Sequence, residues 1–278
     1  MTGVAVVSGA SGGIGRWVAL GLAQAGCHVV MTGRDPGRGE AALAWLRQQA
    51  PRAQAELMLA DLSSLADTAA LGARIVAAHP RLRILVNNAG IFQACPSRTV
   101  EGHDRMLAVN LLSPFVLMGA LLPALQTGGP ARIVTVGSST SDRARIDPEA
   151  MDRPQGWGML RGYSQSKLAV MMITFEQARR LAGSDVVANV VHPGLVATRI
   201  VRSPGPIGLA WRLMAPWMRS ERDGAATPLF AALSAAGGAV SGRYFKDCAE
   251  ARCNPIARDD AMLGRVWTAT ENLVGIVT

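Results

Sequence analysis

Short apolar runs alternate with longer segments of helical spacing along most of the chain. Val4–Val7 reads as a buried strand running into a glycine-rich turn, and a helical pattern follows from Ile14 to about Ala25. His28–Thr32 is the next strand signal, ending at Gly33-Arg34. A helix over Arg38–Gln49, a strand over Ala55–Leu59 and a helix over Leu65–Ala78 follow. Ile84–Val86, Arg132–Val136 and Val186–Val191 read as further strands. Helical stretches at about Gly102–Leu125 and Tyr163–Ala182 separate them. Strands alternating with helices require right-handed crossovers and a parallel sheet. The predicted fold class is therefore α/β, with a doubly wound sheet of about seven strands and helices on both faces.

Composition sharpens this picture. Of 278 residues, 49% are apolar and only 5% aromatic, a mixture suited to helices packed on a parallel sheet. No linker, repeat or low-complexity tract interrupts the chain, so one domain over residues 1–278 is expected. The irregular stretches, about 141–162 and 199–219, lie beyond C-terminal strand ends, where open α/β sheets bind ligands. They are read as substrate loops or lids. Leu209–Met218 within the second is read as a lid over a greasy pocket.

The net charge of +8 is scattered and carried almost wholly by arginine, with no run of five or six, which argues against a nucleic-acid binder. Cys27, Cys95, Cys248 and Cys253 form no Cys-x-x-Cys pair and show no metal-ligand spacing with the four histidines. They read as reduced thiols, and no metal is expected. With the first strand at about Val4 and no apolar run judged long enough for a span, no signal peptide or integral membrane segment is expected. The expected location is cytoplasmic.

The chemistry-bearing signal is Tyr163 with Lys167. The chain holds only two tyrosines and two lysines, yet one of each stands four residues apart in Tyr163-Ser164-Gln165-Ser166-Lys167. Positions i and i+4 share a helix face. Tyrosine's ordinary pKa is about 10, too high to accept a proton at neutral pH. An ammonium at about 4 Å, with an effective dielectric of roughly 20, favours phenolate by about 4 kcal/mol. That is on the order of three pKa units and would bring Tyr163 near 7.

Ser8-Gly9-Ala10-Ser11-Gly12-Gly13-Ile14-Gly15 joins the first strand to the first helix. Glycines admit a sharp turn and close approach of a pyrophosphate, and a helix N-terminus offers free N–H groups. The spacing is Gly-x-x-x-Gly-x-Gly, and with it the chain resembles the short-chain dehydrogenase/reductase superfamily. The resemblance is carried further by Asp61-Leu62, Asn87-Asn88-Ala89-Gly90, Asn110, Ser138, Tyr163 with Lys167, and Pro193-Gly194-Leu195-Val196-Ala197-Thr198. It implies a Rossmann-type sheet and a nicotinamide cofactor held by Gly9, Ser11, Gly13, Ile14 and Gly15, with Pro193 and Gly194 in a later cofactor motif. Asp61 would bond the adenine amino group, with Leu62 against the ring. Asn88, Ala89 and Gly90 would line the adenosine ribose, and Val196 and Thr198 would hold the carboxamide. Where NAD-selective members carry an acid, this chain has Arg34, with Arg38 beyond it. Guanidinium groups clamp a 2′-phosphate, so NADP(H) is expected. The neighbouring acid Asp35 is read as the cap of the helix that follows.

The same resemblance makes Tyr163 the general acid/base and Lys167 its pKa partner and ribose ligand. Ser138, with Ser139 as its rival, would bond the substrate oxygen, and Asn110 would anchor a water chain to the lysine. Asn110 also admits the reading of a satisfied helix kink near Pro114. The separation of Ser138 and Tyr163, together with Ser241–Cys248 and Gly264–Trp267, is similar to the retinol dehydrogenase and WW-domain oxidoreductase branch. Trp157, Met159, Trp211, Leu213, Met214, Trp217 and Met218 suggest a pocket for a lipophilic ketone, aldehyde or secondary alcohol, with reduction the expected direction. The apolar helix Ser164–Leu181 suggests a homodimer or homotetramer. A cofactor-binding sensor that does no chemistry, and an epimerase or dehydratase of related fold, are the competing readings.

Overall fold

The computed structural model describes residues 3–93, 95–152, 159–196 and 218–275, of Met159 the backbone alone. Eight strands form one sheet in the order β3-β2-β1-β4-β5-β6-β7-β8. They are β1 (Gly3–Val7), β2 (Cys27–Gly33), β3 (Ala55–Leu59), β4 (Leu82–Asn87), β5 (Ala131–Val136), β6 (Val186–His192), β7 (Tyr244–Lys246) and β8 (Ala249–Glu250). Every neighbouring pair is parallel except β7 and β8. The order reverses at β1, whose neighbours are β2 and β4, which opens a crevice at the C-terminal strand ends.

The principal helices are α1 (Gly13–Gln24), α2 (Pro36–Gln49), α3 (Leu65–Ala78), α4 (Arg105–Thr127), α5 (Met159–Arg180), α6 (Ala226–Leu233) and α7 (Asp260–Val274). Strand alternation divides the core between the two faces of the sheet. Val6, Leu85 and Ile133 pack with residues of α3, α4, α5 and α7, whereas Ala5, Val7, Ile84, Val86 and Val134 pack with α1, α2 and α6.

The expected elements are present, with two differences. The eighth strand arises because β7 and β8 are only three and two residues long, too short for periodicity to register. Asp247 and Cys248 turn between them with φ of 54° and 60°, the left-handed pair that a two-residue hairpin turn requires. The irregular stretch expected over 141–162 is also shorter, because α5 already begins at Met159.

One expectation is corrected. The 23-residue helix α4 is long and apolar enough to cross a membrane, with a mean hydropathy of 1.9 over an 18-residue window. Yet 72% of that window is buried inside the fold, where α4 packs against α3 and the sheet as a core helix. Leu168 to Ile173 and Phe175 on α5 are likewise buried within one chain.

Candidate active site

The first helix differs from α2, α3, α4 and α7 at its N-terminus. Asp35, Ser64, Asp104 and Asp259 each cap α2, α3, α4 and α7 through their side chains. Gly12 at the start of α1 supplies no such acceptor, so the dipole end and its N–H groups face the glycine-rich turn without a side-chain partner. Gly13 has φ of +59° and open space where a β-carbon would project. Gly9, with φ of +67°, brings the turn so close to β4 that a β-carbon would stand 2.9 Å from Ala89 Cα. Gly15 packs against the Asn88 amide and the Gly9 carbonyl. Ser11 lies against Gly33 at the end of β2, and Ile14 lies beside Gly224, next to Val196.

Ser8 ties this turn to the strand beside it. Its hydroxyl accepts from the backbone N–H groups of Asn88 and Ala89, both at 3.0 Å, while the Asn88 side chain donates to the Ser8 carbonyl at 2.9 Å. Polar groups are left over at the same strand ends: Thr32 on β2 and both amide atoms of Asn87 on β4 are buried without a partner among the described residues. A cradle open over Gly13, a helix end without a side-chain cap and these spare polar groups fit an anionic, hydrogen-bonding dinucleotide.

The basic residues lie beside that cradle. A β-carbon on Gly12 would stand 3.3 Å from Arg38 Nη2, which places the Arg38 guanidinium over the turn. Arg34 is more than half exposed and pairs with Asp61 at 3.5 Å. Asp61 also accepts from the Ser63 N–H and hydroxyl and lies 3.7 Å from Arg105. Partial burial pushes its carboxyl up, but the Ser63 bonds and the two arginines outweigh that and hold it below the usual range. Asp35 accepts from the Arg38 N–H at 2.8 Å, which makes it the cap of α2. Leu62 is partly buried against the core.

The proton-transfer residues converge at the C-terminal end of β5. The α4 helix widens into a π-turn at Ala108–Leu112, and Asn110 sits at its centre, 1% exposed. Its Oδ1 accepts from the Ile91 N–H at 2.8 Å, and its Nδ2 donates to the Ile91 carbonyl and to Ser166 Oγ, both at 3.0 Å. Ser166 Oγ donates in turn to the Tyr163 carbonyl at 2.8 Å. Lys167 is buried and its Nζ donates to the Val136 carbonyl at 2.9 Å. A β-carbon on Gly90 would lie 3.2 Å from Lys167 Nζ and 3.4 Å from Asn110 Oδ1, so glycine is what lets these groups share one space.

Tyr163 side-chain hydrogen-bonds Ser138, and Phe92 meets its ring edge-on with centroids 5.1 Å apart. Ser138 Oγ also accepts from the Thr140 hydroxyl at 3.1 Å, whereas Ser139 is exposed on the turn that follows. Burial works against the expectation of a Tyr163 brought near neutrality by Lys167. Burial pushes the phenol up to about 12, against a smaller downward pull from Ser138. The Lys167 ammonium is turned to Val136 and stands 5.9 Å from the ring centroid, and burial lowers it to about 8. Desolvation is the leading cause for both groups.

After β6, Gly194 turns with φ of +87° beneath the Arg219 side chain, and Val196 bridges to Arg219 in parallel. Pro193 starts this turn. Thr198, Trp157, Trp211, Leu213, Met214, Trp217 and the Met159 side chain lie outside the described residues. Met218 is described, and half-buried. A cleft of about 880 Å³ between Pro148–Asp152 and α7 contains none of the predicted site residues. Ser8, Phe92 and Ser166 are the contributors that sequence reasoning missed. Ser8 opens the glycine-rich turn, and Ser166 is a small polar residue between Tyr163 and Lys167, so both left a faint signal.

Residues 3–205 match the family profile described as short chain dehydrogenase. The chain belongs to the short-chain dehydrogenase family. Within it, this short-chain dehydrogenase is 41% identical to bovine dehydrogenase/reductase SDR family member 13, over 98% of the chain and 73% of that protein. It is 35% identical to human retinol dehydrogenase 12, over 98% of the chain and 86% of that protein. These relatives place it in the retinol dehydrogenase-like branch. Among solved structures, it superposes on a short chain dehydrogenase from Burkholderia cenocepacia in complex with NADP. The TM-score there is 0.71 at 28% identity, over 92% of this short-chain dehydrogenase and 97% of that chain. An uncharacterized protein from Mycobacterium Paratuberculosis gives a TM-score of 0.79 at 28% identity, over 99% and 93% of the two chains.

Proposed function

We propose that this oxidoreductase reduces lipophilic ketones or aldehydes with NADPH, and that Tyr163 is the proton donor. The cofactor is NADP(H): Arg38 over the glycine turn and Arg34 at the end of β2 suit its 2′-phosphate, and Asp35 is occupied as a helix cap. When bound, the dihydronicotinamide supplies the hydride. The carbonyl π pair moves to oxygen, and the resulting alkoxide takes the phenolic proton. Asn110 holds the π-turn against α5, and Lys167 provides the buried cation beside the site.

The single observation that carries this reading is the convergence of Tyr163, its Ser138 partner, Lys167 and Asn110 at the C-terminal end of β5, beside the glycine-rich cradle. With its pKa at about 12, the Tyr163 phenol stays protonated at neutral pH and is held ready as a donor. An alkoxide is a stronger base than phenolate, so proton donation runs downhill. The reductive direction is part of the proposal and rests on the phenol being in its protonated, donating form at neutral pH. The apolar character of the substrate rests on Phe92 against Tyr163, on Leu160 and Leu195, 59% and 52% exposed, and on the retinol dehydrogenase relatives. A cytosolic location is part of the proposal and rests on the expectation of reduced thiols. The test is a product-resolved screen of lipophilic carbonyls with NADPH, run with the wild-type protein and Tyr163→Phe. Turnover near the wild-type level in the variant would overturn the mechanism, and binding of NADPH with no product from any carbonyl would favour a sensor.

A further inference from the structure

At the opposite end of the sheet from Tyr163, three metal-binding side chains meet. His28 is the second residue of β2, Glu56 the second of β3, and His79 follows directly on α3. Two of the chain's four histidines are thus gathered around one carboxylate. The sheet register explains how. Val30 pairs with Glu56 in the parallel β2–β3 ladder, so their side chains share a face, and His28 lies two residues before Val30 on that same face. It is the face on which α3 packs, with Val30, Leu71 and Ile75 in one core cluster, so the end of α3 delivers His79 to the same corner.

Glu56 Oε1 lies 3.0 Å from His28 Nε2 and 2.6 Å from His79 Nε2. The two imidazoles meet edge-on with centroids 4.9 Å apart. All three ligand atoms lie within 4.8 Å of one another. An ion with bonds of about 2.0–2.2 Å holds tetrahedral donors roughly 3.3–3.5 Å apart, which small side-chain rotations here would reach. The side chains are 28%, 36% and 13% exposed, so solvent can supply a fourth ligand and an entry path.

We propose that His28, Glu56 and His79 form a binding site for a Zn²⁺-class divalent transition metal that clamps β2, β3 and the end of α3. Imidazole nitrogen and one carboxylate oxygen suit Zn²⁺ and its borderline-soft neighbours rather than Mg²⁺ or Ca²⁺, which call for oxygen donors. Binding requires each imidazole to present an unprotonated Nε2 to the ion, its one proton held on Nδ1, and the Glu56 carboxylate to be ionised. The site lies apart from the reaction centre, so the metal acts on stability.

The test uses the full chain carrying Cys95→Ser, because Cys95 is an exposed thiol that would bind metal on its own. Metal-stripped protein is titrated with ZnCl₂ by calorimetry and melted with and without Zn²⁺, and Co²⁺ is added to read a tetrahedral absorption band. The expected result is one Zn²⁺ per chain and a rise in Tm of about 5–10 °C at 100-fold excess over Kd. Both are lost in Glu56→Gln and His79→Gln and kept in His103→Gln, which removes the separate His103–Asp152 pair. The absence of saturable binding to the folded parent overturns the proposal without reference to any variant. Equal binding by the Glu56→Gln and His79→Gln proteins also overturns it. Neither readout depends on the oxidoreductase reading.

Discussion

Asn110 donates from Nδ2 to Ser166 Oγ at 3.0 Å, and this bond joins the π-turn of α4 to the helix that carries Tyr163 and Lys167. Both residues are essentially inaccessible to solvent. Ser166→Ala therefore leaves a buried amide hydrogen without an acceptor. The expected cost is about 1–3 kcal/mol of stability, read by urea or thermal unfolding, with a loss of kcat as α5 loses its register to Asn110. Unchanged stability together with unchanged kcat would show that the bond positions nothing.

Tyr163→Phe keeps the ring that Phe92 packs against and deletes the hydroxyl, with its proton and its bond to Ser138. Turnover is expected to fall about 10²–10⁴-fold, the usual worth of a positioned acid. NADPH affinity, followed by cofactor fluorescence, should stay within a few-fold of wild type.

The pH profile follows from the two shifted groups. Tyr163 at about 12 keeps its proton through the neutral and mildly alkaline range, so it sets no inflection there. Lys167 at about 8 is charged below that pH and neutral above it. Reductive kcat/KM is therefore expected to hold through neutrality and decline above about pH 8. Lys167→Met should lower the plateau and erase that inflection. A wild-type profile flat to pH 10 would separate Lys167 from catalysis.

Gly13 and Gly9 should respond differently to alanine. At Gly13 the methyl meets no atom within 4 Å, so the penalty is the positive φ, about 1–2 kcal/mol. The methyl then occupies the space over the helix end, and NADPH affinity is expected to fall more than stability does. Gly9→Ala adds a clash 2.9 Å from Ala89 Cα to its positive φ, so unfolding should register the larger loss.

Arg38→Ala removes a guanidinium from over the glycine turn. A charge-assisted hydrogen bond is worth about 1.5–3 kcal/mol, so Kd for NADPH should rise roughly 10–100-fold. Kd for NADH should change little. Equal losses for the two cofactors would move the 2′-phosphate away from Arg38.

Much of this protein was legible before any coordinates. Strand spacing, the glycine turn between β1 and α1, and the Tyr163–Lys167 pair depend on short stretches of chain, where local sterics and helix periodicity act directly. Asp35 as a cap belongs here too, because a cap bonds an N–H three residues away. The β7–β8 hairpin was not legible, since five strand residues carry no period and its turn, Asp247-Cys248, has cysteine where glycine is usual.

What the sequence determined by itself was identity and order: which residue types stand at which strand ends, and hence the family and the list of reacting groups. What only the tertiary structure decided was environment. Lys167 faces the Val136 carbonyl, and Tyr163 is desolvated more than it is charge-stabilised, so its pKa moves opposite to the expectation from spacing alone. Ser8 reaches Asn88 across 80 residues. His28, Glu56 and His79 meet because parallel pairing and a crossover helix bring distant positions to one corner. Burial and long-range convergence are properties of packed space, and the interaction of a charge with its surroundings is set there.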